Sequence, residues 1–196
     1  MTGKNIIVNI IIHARGGQGA VTASQFIAEA AFLSGQLIDV HAYPSFGAER
    51  RGAPIQAYAK LSTEEKIWDR SFITNPDILL VFDESVLNQE IVSSLKKDGT
   101  FIVNSDKNPT YFKETYDLSK QTKIIVADIT KLAIENSLTI DGNPIVNTPI
   151  LGLLAKALPI LTLDNLKKII NKRMNKELSK LNNKLIEQGY NLAKTL

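Results

Sequence analysis

Residues 5–13 are largely apolar and rich in Ile and Val, with Asn9 the one interruption between Ile6 and Ile12. A stretch without a polar face predicts a strand buried on both sides, as in the middle of an α/β sheet. Across residues 21–33 the spacing changes. Ile27, Ala28, Ala31 and Phe32 fall near one side of a helix, and Gly35 stops it. A Gly-rich turn lies between, so strand, turn and helix make the first half of a βαβ unit. Residues 37–43 predict a second strand, and alternation over 55–61 a third. Buried strands are predicted at 77–82, 100–104 and 123–127, with helices at 85–96 and 131–136. This alternation predicts a three-layer α/β/α sandwich with a mostly parallel or mixed central sheet.

From residue 148 the pattern becomes helical. Thr148 before Pro149 has the form of an N-cap followed by Pro at the first helical position, opening a helix over 150–158 that Pro159 stops. Thr162-Leu163-Asp164 starts another, with Leu166, Ile169 and Ile170 on one face. Beyond Lys176, residues Leu178, Leu181, Leu185 and Leu192 share a side. We therefore expect one domain over 1–196, with an α/β core at 1–147 and a helical part at 148–196.

Composition narrows the chemistry. The 196 residues include no Cys and only two His. Without Cys there is no cluster ligand, thiolate zinc site, cysteine nucleophile or disulfide, and two His argue against a His-rich metal site. The 23 Lys+Arg and 20 Asp+Glu leave a net charge of only +3, which gives no argument for a nucleic-acid partner. Residues 163–196 hold eight Lys/Arg and three Asp/Glu, so this tail is +5 and the rest is −2. A solvated helical face accounts for such a tail, and a docking surface for an acidic partner is the sharper alternative. The apolar run at 6–12 is far shorter than the ~20 residues of a spanning helix. No small-residue cleavage site follows it, so a soluble cytoplasmic protein is expected, with no membrane partner.

Two loops carry the candidate chemistry. In Arg15-Gly16-Gly17-Gln18-Gly19, glycines let the backbone approach a ligand, and the following helix points unpaired N–H groups at the turn. Arg15 adds a bidentate donor, and Gln18 and Thr22 add further hydrogen bonds. Gly19 is followed by Ala20-Val21 rather than Lys-Ser/Thr, so the turn is not a nucleotide P-loop. A dinucleotide pattern fits only with Ala14 in its first place, and its acid, Asp39, falls inside the second strand rather than at its end. An anion site, a tight turn without a ligand, and an NAD site stand as alternatives on this segment. The second loop, residues 42–54, holds Ser45, Phe46, Glu49, Arg50 and Arg51 among two Pro and two Gly. Arg and aromatic residues in a loop suit recognition better than packing, although Glu49 paired with Arg50 or Arg51 at the surface is a plainer account. No catalytic residue is predicted. Neither His13 nor His41 has a nucleophile motif beside it, and a structural role at the end of the first strand suits His13 better.

Taken together, His13-Ala14-Arg15-Gly16-Gly17-Gln18-Gly19-Ala20 and Ala42-Tyr43-Pro44-Ser45-Phe46-Gly47-Ala48-Glu49-Arg50-Arg51-Gly52-Ala53-Pro54 resemble the gamma subunits of 2-oxoacid:ferredoxin oxidoreductases, the pyruvate synthase type in particular. Asn75-Pro76-Asp77, Asp83-Glu84, Asn147-Thr148-Pro149-Ile150-Leu151-Gly152, Asn182 and Gln188-Gly189-Tyr190 extend the resemblance along the chain. It implies a coenzyme A-dependent oxidative cleavage of pyruvate or a branched-chain or other 2-oxoacid, with electrons passed to ferredoxin or flavodoxin. It also implies thiamine diphosphate and Mg²⁺ on alpha and beta subunits, and [4Fe-4S] clusters on a delta and often a beta subunit. The gamma subunit would contribute to binding coenzyme A. Arg15, Gly16, Gly17, Gln18, Gly19 and Thr22 would face its anionic part with Arg50 and Arg51, while Ser45, Phe46 and Glu49 would shape the second loop or meet partner subunits. A purely structural subunit without a ligand is the other reading.

Overall fold

A computed structural model describes residues 7–45 and 51–196. The chain runs β1 (Ile7–Arg15), α1 (Ala20–Phe32), β2 (Asp39–Pro44), β3 (Pro54–Ser62), β4 (Ile78–Val81), α2 (Gln89–Ser93), β5 (Thr100–Asn104), α3 (Pro109–Thr115), β6 (Lys123–Ala127) and α4 (Ile129–Glu135). A small hairpin follows, β7 (Thr139–Ile140) and β8 (Asn143–Pro144), then α5 (Leu151–Ala157), α6 (Leu163–Arg173), α7 (Lys176–Leu192) and β9 (Lys194–Thr195).

Seven strands form one mixed sheet in the order β2-β3-β1-β4-β5-β6-β9. β1, β4, β5 and β6 pair parallel, while β3 is antiparallel to both β1 and β2, and β9 is antiparallel to β6. β2 therefore runs parallel to β1 with β3 inserted between them, so β1-α1-β2 is a crossover rather than a plain adjacent βαβ unit.

Alternation along each strand divides the core into two layers. Ile10, Ile12, Ile78 and Leu80 join one cluster with Phe26 and Ile27 of α1, Leu132 of α4, Leu153 and Leu154 of α5, Ile170 of α6 and Leu185 of α7. This cluster is continuous across residue 148. Ile11, Leu79, Val81, Phe101 and Val126 face the other way, toward Val86, Val92 and Phe112. The α1 crossover lies on one face and the α2 and α3 crossovers on the other. The sheet therefore has its switch point between β1 and β4, where α/β proteins place their ligands.

Several predicted elements are corrected. The helix expected over 85–96 is a 3₁₀ turn, Glu84–Val86, followed by the short α2. Leu87 is extended at φ −73°, ψ 140°, and the Asn88 side chain accepts from Ile91 N at 2.8 Å, capping a new start. Thr148 is not the N-cap of α5. Its hydroxyl turns to Asn147 Oδ1 at 3.3 Å, and backbone bonds from Leu151 N to Thr148 O and from Gly152 N to Pro149 O lead into the helix as a tighter turn. On α7 the buried line is Ser179, Asn182, Leu185, Ile186 and Gly189, so Leu178 and Leu192 are exposed. α3, the hairpin and β9 were not predicted. Of the basic tail, Arg173 pairs with Glu29 and Lys167 with Glu187, tying α6 to α1 and α7, while Lys172, Lys176 and Lys180 are exposed. No helix among the described residues is long and apolar enough to cross a membrane.

Candidate functional site

The Gly-rich turn joins β1 to α1 at the carboxyl edge of the sheet. Gly17 has φ +95° and Gly19, the N-cap of α1, has φ +78°, both in the left-handed region that favours glycine. Gly19 has a second constraint, because a Cβ there would collide with the Asn147 amide. The turn is clamped to the start of β3: Gly16 N donates to Ala53 O at 2.8 Å, and Gly52 N to Gly16 O at 3.0 Å. The amides of Gly17, Gly19 and Ala20 make no hydrogen bond among the described residues.

Four side chains and one amide close a ring beneath the turn. Arg15 Nε and Nη2 donate to Ser85 Oγ at 3.0 and 2.7 Å, and Nη1 donates to Gly52 O at 2.9 Å. The Ser85 hydroxyl donates to Asp83 Oδ1 at 2.5 Å. Asp83 Oδ2 accepts from Gln18 Nε2 at 3.1 Å, and Gln18 Oε1 accepts from Arg15 N at 2.7 Å. Arg15 Nε lies 3.5 Å from Asp83 Oδ2. Burial opposes the charge on Asp83. The Ser85 and Gln18 hydrogen bonds and the Arg15 cation outweigh it, so the carboxyl is held below its ordinary range.

Two adjoining clefts open here. The first, about 300 Å³, is walled by Arg15, Gly16, Gly17, Gln18 and Arg51 on one side and by Ile140, Asn143 and Pro144 of the hairpin on the other. Arg51 reaches across to Asp141 of the hairpin at 3.3 Å, both side chains being 73% exposed. The second, about 470 Å³, shares Gln18, Asp83, Thr130, Asn143 and Pro144 with the first and adds Asn104, Asp106 and Asp128. Asn104 forms its floor. Its Nδ2 donates to Phe82 O at 2.8 Å and Thr130 Oγ1 at 2.9 Å, and its Oδ1 accepts from Ile129 N at 2.8 Å. The first cleft is thus cationic and amide-lined, the second rich in carboxylates, amides and hydroxyls.

Of the residues predicted from sequence, Arg15, Gly16, Gly17, Gln18 and Arg51 meet at the first cleft. Gly19 caps α1, Thr22 is exposed on its first turn, and Ser45 follows β2 with its N–H on Gln56 O at 3.0 Å; none of these three lines the cleft. Phe46, Glu49 and Arg50 lie outside the described residues. Sequence reasoning missed Asp83, Ser85, Asn104, Thr130 and Asn143 as cleft and support residues. For all but Asn143, which lies in β8 of the hairpin, the signal was position, since polar residues at or just after the end of a buried parallel strand gather at one edge.

Asp39 decides the dinucleotide alternative. It is the first residue of β2, in register with Ser62, which in turn opposes Ile7. That puts it at the sheet edge opposite the Gly-rich turn. Its carboxylate accepts from Ile67 N at 2.8 Å and Val40 N at 2.9 Å, so it is not available for a ribose beside the turn.

His13 is buried, with 4% of its surface exposed. Tyr58 OH donates to Gln56 Oε1, which turns Gln56 Nε2 toward His13 Nε2 at 3.5 Å. The donor on Gln56 requires an acceptor on His13, so Nε2 is unprotonated and the proton sits on Nδ1. Desolvation lowers the imidazole pKa to about 4, and burial raises Tyr58 to about 12.

Residues 9–192 match the family model described as pyruvate ferredoxin/flavodoxin oxidoreductase. A relative from Thermococcus litoralis, the pyruvate/ketoisovalerate oxidoreductases common subunit gamma, is 38% identical over 94% of this chain and 96% of its own length. The crystal structure of pyruvate oxidoreductase subunit PORC from Thermotoga maritima superposes with a TM-score of 0.81, at 34% identity over 98% of this chain and 99% of that one. A 2-oxoglutarate:ferredoxin oxidoreductase from Magnetococcus marinus, solved with 2-oxoglutarate, coenzyme A and succinyl-CoA bound, shares the fold at a TM-score of 0.72 and 18% identity. It covers 97% of this chain and 31% of that one.

Proposed function

Because this chain belongs to the pyruvate ferredoxin/flavodoxin oxidoreductase family, as a gamma subunit of the multisubunit enzyme, we propose that its paired clefts hold coenzyme A for the thiamine-bearing partners. The observation that carries this is the meeting of the left-handed Gly17, its amide unpaired among the described residues, and the exposed Arg51 guanidinium in one cleft at the switch point. Backbone N–H groups and a guanidinium take phosphate oxygens, in place of the screened and weak Arg51–Asp141 pair. The neighbouring cleft offers amides, hydroxyls and carboxylates to the hydroxyl- and amide-bearing remainder of the ligand. Volumes of about 300 and 470 Å³ suit an elongated ligand that spans both.

Thiamine diphosphate with Mg²⁺ on alpha and beta subunits would supply the carbon–carbon cleavage. Clusters of the [4Fe-4S] type on delta and beta subunits would carry electrons to ferredoxin or flavodoxin. The absence of Cys supports placing every cluster outside this chain. A relative named as common to pyruvate and ketoisovalerate oxidoreductases supports placing 2-oxoacid selection on the partners too. We place the assembled enzyme in the cytoplasm.

Calorimetric titration of the assembled complex with coenzyme A tests the reading. Arg51→Ala is expected to weaken binding about tenfold, the effect of losing one charged hydrogen bond. A purely structural subunit, which the internal commitments of Arg15 favour, predicts unchanged affinity, and that result would overturn the proposal.

A further inference from the structure

We infer that Arg15 is a positioning residue for coenzyme A and not a charge presented to it; the inference rests on the cleft reading above. Three of its five N–H groups are already directed at Ser85 and Gly52. The carboxylate of Asp83 at 3.5 Å offsets much of the field that the guanidinium would offer an anion. What Arg15 does is join three segments: the end of β1, the approach to β3, and the turn after β4. Through Asp83 and Gln18 the connection returns to its own backbone, so the ring fixes the turn that presents Gly17.

A Lys at this position keeps the charge but has one compact ammonium, unable to bridge Ser85 and Gly52 with a planar fork. Ser85 lines neither cleft. Any effect of its hydroxyl on ligand affinity must therefore pass through the ring.

The test uses the assembled enzyme, with coenzyme A affinity and steady-state kinetics for Arg15→Lys, Ser85→Ala, Ser85→Thr and the Arg15→Lys/Ser85→Ala pair. Arg15→Lys and Ser85→Ala are each expected to raise Kd and KM for coenzyme A about tenfold. The KM for the 2-oxoacid, and kcat at saturating coenzyme A, stay at parent values. Ser85→Thr, which keeps the hydroxyl, restores affinity, and the double variant is no weaker than Arg15→Lys alone. Parent affinity in Arg15→Lys or in Ser85→Ala, while Arg51→Ala still weakens binding, refutes the positioning role and leaves the cleft assignment standing. If Arg51→Ala is also silent, the cleft assignment fails and the positioning role fails with it.

Discussion

Gly152→Ala is expected to destabilise the fold by about 3 kcal/mol, the upper end for an overpacked core. A Cβ on Gly152 would lie 2.6 Å from Tyr190 N and closer still to Ile186 O. Gly189, on the facing helix, brings its own backbone against Pro149 O in the same way. α5 and α7 therefore touch main chain to main chain, and neither side can yield like the end of a flexible side chain. Ordinary helix propensity predicts the opposite sign, because Ala is favoured over Gly by about 1 kcal/mol inside a helix. Gly35→Ala is the control: it meets open space and bears only the left-handed backbone cost at φ +71°, roughly 1 kcal/mol. Urea unfolding of the isolated chain compares the two. Equal midpoints for the variants, or a stabilised Gly152→Ala, would show that the crossing is not tight.

Acid should weaken the fold through His13, well above the pH at which carboxylates protonate. The folded pKa of about 4 lies below the ordinary imidazole value of 6.5, so the unfolded chain binds more protons between those values and stability falls as pH falls. A depression of this size corresponds to about 3 kcal/mol, fully present above pH 6.5 and fully lost below pH 4, with about 2 kcal/mol gone by pH 5. Protonation also sets two donors, His13 Nε2–H and Gln56 Nε2–H, against each other. His13→Gln has no imidazole to titrate and should flatten the profile between pH 6.5 and pH 5, even if it is less stable overall. An equally steep loss in that variant would locate the sensitive group elsewhere.

The strand pattern was legible because burial on both faces leaves no room for polar residues. Thr100–Asn104 and Lys123–Ala127 were predicted to the residue, and α1 within one. Short elements set by side-chain capping were less legible. Asn108 before Pro109 was a start signal for α3 that lay unread, whereas Asn88 broke a helix whose apolar spacing ran on without interruption. β9 and the β7–β8 hairpin, at two residues per strand, are too short for any periodicity. At the site, the Gly-rich turn was readable because φ > 0 selects glycine. The partners of Arg15 were not readable, since Ser85 is 70 residues away and only the β1–β4 pairing brings it close.

That pairing also governs how the chain reaches its folded state. β1 is an interior strand, yet its neighbours are β3 and β4, and neither is next in sequence. β6 likewise waits for β9, with Ile125 opposite Thr195. Each of these joins closes a long loop before any contact rewards it. High contact order of this kind slows folding relative to helical proteins of similar size. α1 and the α6–α7 hairpin can form locally, but the clefts cannot exist before the sheet does.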